Sequence, residues 1–187
     1  MGDRSNLNLT VRGATDPRVR AAVVELFESY AGPRSDGFGS YYEDEEGSAA
    51  GSLVLGAHEV RVGSVDELDE ALQALVTDGT QDEDGDHVPV EDFAWQLHDE
   101  PEYDWNGDLR IHVPGLPDFS ADCDANGSPI IAPPFLVQIV DDATDLDALR
   151  RRIRAVTGTD HDEALHAFVP AAVAAAGGAF SSTPSTS

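Results

Sequence analysis

Carboxylates are the residues most able to do chemistry in this chain, and they are densest in residues 80–91, TQDEDGDHVPVE. Side-chain oxygens recurring at every second position, here Asp82, Asp84 and Asp86 with Glu91 further on, suit a hard divalent cation, which takes oxygen ligands. A second carboxylate turn, residues 122–127 (DCDANG), repeats that alternation. It closes on Asn126-Gly127, a pair that accepts the left-handed backbone of a hairpin turn, and the turn explains these residues with fewer assumptions than a metal loop does. Cys123 then points inward from a strand as a small apolar residue. Six histidines complete the inventory, at 58, 87, 98, 112, 161 and 166, and none forms the i, i+4 pair of a helical zinc site. His98 beside Asp99, and His112 near several acids, are the candidate acid–base pairs. A nucleophile elbow, a phosphate-cradling glycine loop and a dinucleotide fingerprint are all absent, so no catalytic residue is assigned and a non-enzymatic reading leads.

Residues 80–91 resemble the calcium loop of EF-hands. Asp82, Asp84, Gly85 and Glu91 fall at the third, fifth, sixth and twelfth positions of that loop. The resemblance implies calcium held by Asp82, Asp84, Asp86 and Glu91. The match departs at Thr80, where a carboxylate is expected, at His87, which replaces an aliphatic residue, and at Pro89. An EF-hand also needs a helix on each side. An amphipathic helix precedes the loop, and residues 91–99 are expected to form a short one after it, carrying Phe93, Trp95 and Leu97 toward the core until Pro101 ends it. The 122–127 turn lacks the closing carboxylate, since Pro133 stands in that place.

Charge is the unusual bulk property. Among 187 residues, 36 acids face 11 bases, every base is Arg, and the net charge is −25. The excess is uneven: residues 1–34 carry +1, residues 35–109 carry −21 and residues 110–187 carry −5. Such a field repels nucleic acid and membrane surfaces and attracts cations or basic protein patches. The sole cysteine rules out an intramolecular disulfide and a thiolate metal cluster. An apolar share of 41% is enough for a folded core. Without a visible signal-peptide h-region or an apolar run of membrane-spanning length, the expectation is a soluble, cytoplasmic protein.

The elements that must position these groups follow from periodicity. Residues 6–12 alternate as a half-buried strand. Asp16 caps a helix over 17–30 with Pro17 at its first position. Residues 31–52 read as a mobile acidic loop holding Glu43, Asp44, Glu45 and Glu46, with Phe38, Tyr41 and Tyr42 pinning it to the core. A strand over 53–62 leads to a helix capped by Ser64 and Glu67. Its apolar stripe is Val65, Leu68, Leu72, Leu75 and Val76, with Asp66, Glu67, Asp69 and Glu70 toward water. A second acidic loop covers about 78–90. Strands are expected at 109–113, 118–123, 128–132 and 135–140, the last being FLVQIV. Thr144 and Asp147 open a helix with Leu146, Leu149, Ile153 and Val156 inside, ended by Gly158. Thr159 caps a last helix through Leu165, Phe168 and Val169. The arginines of 150–154 are expected to pair with Asp141, Asp142, Asp145 and Asp147, and could also dock the acidic middle of a second copy.

These pieces predict one α+β domain over residues 1–176. Two strand–helix units come first, then a hairpin-rich antiparallel sheet, then two C-terminal helices covering it. A disordered Ser/Thr-rich tail is expected over 177–187. The functional expectation is a binding or accessory protein that offers an acidic surface to a basic partner. That surface comprises Glu43, Asp44, Glu45, Glu46, Asp82, Glu83, Asp84, Asp86, Asp99, Glu100, Glu102 and Asp104. In a narrower version it mimics nucleic-acid charge and occupies a DNA-binding protein; in size and acidity the chain is similar to antirestriction DNA mimics, with no residue motif in common. The alternatives are a calcium-binding module built on 80–91, and a component of a larger assembly whose acidity reflects its host proteome.

Overall fold

The structure, a computed structural model, describes residues 4–31, 41–44, 48, 52–61, 64–81, 86–101, 106–124 and 126–169. Glu45, Glu46, Asp82, Glu83, Asp84, Gly85, Glu102, Asp104, Phe38 and the expected tail over 177–187 lie outside the described residues.

The fold is α+β. β1 (Arg4–Arg12) alternates buried Leu7, Leu9 and Val11 with polar residues, and it has strands on both sides. α1 (Pro17–Ala31) follows, its first turn fixed by Asp16, whose carboxylate accepts from the Arg18 amide at 2.8 Å. It buries Val19, Val23, Phe27 and Ala31. β2 (Tyr41–Glu43) and β3 (Ser52–Arg61) come next, then α2 (Ser64–Asp78), which buries Val65, Leu68, Leu72 and Leu75. β4 (Thr80–Gln81) and β5 (His87–Val88) pair with each other in a small separate ribbon. The meander β6 (Ala94–Pro101), β7 (Gly107–His112) and β8 (Phe119–Cys123) completes the main sheet. Its order is β2-β3-β1-β6-β7-β8, and every pairing is antiparallel. Three helices end the described chain: α3 (Pro133–Asp141), α4 (Leu146–Thr157) and α5 (Thr159–Ala167).

The helices divide between the two faces. α1 and α2 pack on the face made by Leu7, Leu9, Val11, Leu53, Leu55, Trp95 and Leu97. On the other face α5 inserts Leu165 among Leu109, Ile111, Phe119 and Cys123. Cys123 is inside, and burial with the carboxylates around it pushes its thiol up to about 12, so it stays protonated.

Several expectations need correction. Residues 91–99 are not a helix. Phe93, Trp95 and Leu97 are all buried at a spacing of two, which is strand period, and they lead into and along β6. FLVQIV is not a strand; it belongs to α3, begun by Pro133-Pro134 at the first helical positions. Residues 128–132 supply only an isolated bridge, Cys123 to Pro129. Part of the expected acidic loop is strand, since Tyr41–Glu43 pairs with β3. Tyr41 does reach the core, edge-on to Phe27 with ring centroids 6.0 Å apart, whereas Tyr42 is exposed and stacks on His58. The α4 cap is Asp145, which accepts from the Ala148 amide at 2.7 Å, in place of the Thr144 and Asp147 pair. Leu146 and Ile153 are exposed, and α4 has no fully buried residue. Val169 is exposed as well. The 122–127 turn sits at the end of an edge strand.

Candidate functional site: an acidic rim around His112 and Trp95

The β6–β7 register sets Trp95 opposite His112 on the face that α2 covers. The two rings stack with centroids 4.0 Å apart and 17° between their planes. Trp95 is fully buried, so its indole N–H needs an acceptor, and Asp69 of α2 provides one at 2.8 Å. Asp69 also accepts from the side-chain amide of Gln73 at 2.9 Å. It therefore turns inward and does not face water as its helical position suggested. Burial raises its pKa against the opposing effect of the Trp95 hydrogen bond, and Asp118 raises it further.

Asp118, in the loop before β8, approaches His112 Nδ1 at 2.7 Å. His112 Nε2 is buried without a hydrogen-bond partner among the described residues, and an Asp92 oxygen lies 3.7 Å from it. Next along β7, Arg110 donates to Asp66 of α2 at 2.5 Å and lies 3.7 Å from Asp108. Burial raises the Asp108 pKa, and Arg110 partly opposes it. Carboxylates from α2, from the segment before β6 and from the loop before β8 thus converge on one rim. An Asp–His pair with this geometry can hold one tautomer of the imidazole. The His112 pair anticipated from sequence is present, with Asp118 as its partner. Trp95 and Asp69 were missed as members, because their meeting depends on strand register.

His98 stands elsewhere, on the opposite sheet face across from Asn8. Asn8 Nδ2 donates to Glu100 at 3.0 Å and lies 3.4 Å from His98 Nε2. Asp99, the neighbour expected to serve His98, is buried and holds the backbone instead, its Oδ1 accepting the Asp108 amide at 2.6 Å. It offers no carboxylate to a surface. Glu100 is half-buried, 3.8 Å from His98. Glu43 pairs with Arg20 on the far edge of the sheet. Asp44 is exposed beside it, and Asp86 and Glu91 are exposed near β5.

The described residues of the calcium-like loop lack the expected frame. α2 precedes the loop, but a β4–β5 ribbon and then β6 follow, so no second helix flanks it. Among the described residues no group of three His, Cys, Asp or Glu side chains is placed to hold a metal ion. The 122–127 segment is a tight reversal: Asp124 Oδ1 accepts the Asn126 and Ser128 amides at 2.9 Å each, and Gly127 has φ 72°. Those backbone donors hold the Asp124 pKa below the usual carboxylate range.

Among the described residues most arginines pair with acids of the same chain. Arg18 pairs with Asp16, Arg150 with Asp147, Arg152 with Asp142, and Arg154 with Asp160 and Glu163. No helix among the described residues is long and apolar enough to cross a membrane. No protein-family model matches the chain, and no curated protein or solved structure is significantly similar to it.

Proposed function

We propose that this is a non-enzymatic accessory protein whose acidic face receives a basic protein surface. The observation supporting it is the convergence of Asp66, Asp69, Asp92 and Asp118 from three separate segments onto one rim, where Arg110 and His112 are already engaged by carboxylates. Glu70, Asp78 and Glu91 are further exposed carboxylates on α2 and before β6. Most arginines among the described residues are tied to acids of the same chain, and the net charge is −25. Such a field steers a basic partner in and keeps nucleic acid and anionic membranes away. In the narrower form of this reading, the face takes the place of phosphates in a DNA-binding protein.

A variant combining Glu70→Gln, Asp78→Asn, Glu91→Gln and Asp92→Asn tests it. Wild type immobilised in native lysate at about 0.15 M salt is expected to retain basic protein. The variant is expected to retain far less, with association of the captured partner slowed at least ~10-fold. Duplex DNA competing for that partner supports the mimic form. Identical captured sets for the two proteins would sink the reading.

A further inference from the structure

The α3–α4 hairpin keeps its apolar side chains in solvent. Ile139 is the buried residue of α3, and α4 has none. Phe135, Leu136, Val137 and Val140 of α3 are exposed, as are Leu146 and Ile153 of α4, and Val137, Val140 and Leu146 are each more than half open to solvent. Phe135 at the start of α3 lines one groove with Ala155 and Val156 at the end of α4, so the two helices lie side by side and antiparallel. The short connection 142–145 sets Val140 and Leu146 at the same end. Single exposed apolar residues are ordinary on a surface, whereas six on one hairpin mark a contact face.

Charge selects the occupant. Residues 128–157 carry Asp141, Asp142, Asp145 and Asp147 against Arg150, Arg151, Arg152 and Arg154, so the hairpin is neutral and the whole −25 lies on the rest of the chain. The acids cluster at the turn and the first residues of α4, the arginines in its second half. A basic segment laid along this face would meet the arginines, and an acidic one the aspartates. The same hairpin turned about a two-fold axis meets neither clash, because the aspartate end of each copy falls on the arginine end of the other. Two side chains are placed for that exchange. Arg150 follows Leu146 by four residues and precedes Ile153 by three, so helical spacing puts it beside that apolar pair. Its contact with Asp147, 3.5 Å between two largely exposed side chains, holds it weakly. Asp141 follows Val137 by four residues, is exposed, and joins no ion pair among the described residues. At about 0.15 M salt the Debye length is roughly 8 Å, so the acids elsewhere on the two molecules are largely screened and the contact zone decides. We propose that two copies of this chain pair through the α3–α4 hairpin, apolar face to apolar face about a two-fold axis, with Asp141 of each copy against Arg150 of the other. This pairing is independent of the basic partner proposed above.

Sedimentation equilibrium of the full chain at about 0.15 M salt tests this. A monomer–dimer equilibrium is expected with a Kd of roughly 10–100 µM, since two short helices from each copy make a small interface. Unfolding melts at about 1 µM or below therefore see the monomer and do not register the contact. Val137→Glu, at an exposed position, puts a charge into the apolar face and is expected to raise the Kd at least ~10-fold. Arg150→Glu and Asp141→Arg are each expected to raise it about fivefold, because each sets like charges against one another twice in a symmetric dimer. An equimolar mixture of those two variants is expected to recover the wild-type affinity, since opposite charges then face each other in both contacts. A wild-type chain that stays monomeric up to about 1 mM overturns the proposal, and so does a dimer that Val137→Glu leaves intact. A mixture that associates no more tightly than its components would show that the copies do not meet in this antiparallel way, and would overturn it as well.

Discussion

His98 lies on the face of the sheet that α5 packs against, with Gly127 over its ring, so close that a Cβ on Gly127 would stand 3.2 Å from it. Burial lowers its pKa below 6.5, although Glu100, Asp99 and Asp124 pull the other way. The folded protein therefore holds this proton less tightly than the unfolded chain, and below pH 6.5 the unfolded state binds more protons. His98 therefore contributes a loss of stability as pH drops through that value. Urea melts of wild type and His98→Gln from pH 7.5 down to 5.5 are expected to show a shallower loss in the variant, and equal slopes would refute the assignment. Sequence alone supplied His98 and His112 as candidates, together with the density of acids around them. It misassigned the partner of His98 and left that of His112 open among the nearby acids. Asp99, adjacent to His98 in the chain, is consumed by a backbone amide, while Asp118 reaches His112 because a loop folds back. Adjacency along a strand alternates faces, so the neighbour in sequence is the wrong place to look for a side-chain partner.

At the level of elements, the first two strand–helix units were legible because each has a strong period and a capping residue. The errors came where the signal was short. Five apolar residues interrupted only by Gln138, FLVQIV, fit a buried strand or a helix equally well, and Pro133-Pro134 was the cue that favours a helix start. In α3 only Ile139 is buried, so apolar Val137 and Val140 face outward, while on α5 Leu165 is 1% exposed. This gives opposite expectations for similar chemistry. Leu165→Ala is expected to cost about 2–5 kcal/mol, because it opens a cavity against Leu109, Ile111 and Phe119. Val137→Ser combined with Val140→Ser should change stability by less than about 0.5 kcal/mol per site, as exposed substitutions do. Chemical denaturation of both variants decides it. Comparable losses would mean that α3 has a buried apolar face after all.

The whole molecule carries its charge unevenly balanced, with 36 acids against 11 arginines. Among the described residues most arginines sit in ion pairs such as Arg110 with Asp66 and Arg154 with Glu163. Beyond these pairs, Glu70 and Asp78 of α2, Glu91, and Asp122 of β8 are exposed carboxylates, and like charges repel across the surface. Two effects of salt then oppose each other. Screening weakens the surface pairs, each worth no more than about 1 kcal/mol. It also weakens the repulsion among the much larger number of acids. With a net charge of −25 the second effect wins. The melting temperature is therefore expected to rise between about 0.01 M and 1 M sodium chloride, as the Debye length shrinks from roughly 30 Å to 3 Å. In the Glu70→Gln, Asp78→Asn, Glu91→Gln, Asp92→Asn variant the rise should be smaller, because four of the repelling charges are gone. If the melting temperature is flat or falls with salt, the ion pairs dominate and the acids do not form a continuous repelling face. That outcome would also weaken the case for electrostatic capture of a basic partner, since both depend on the same unscreened carboxylates.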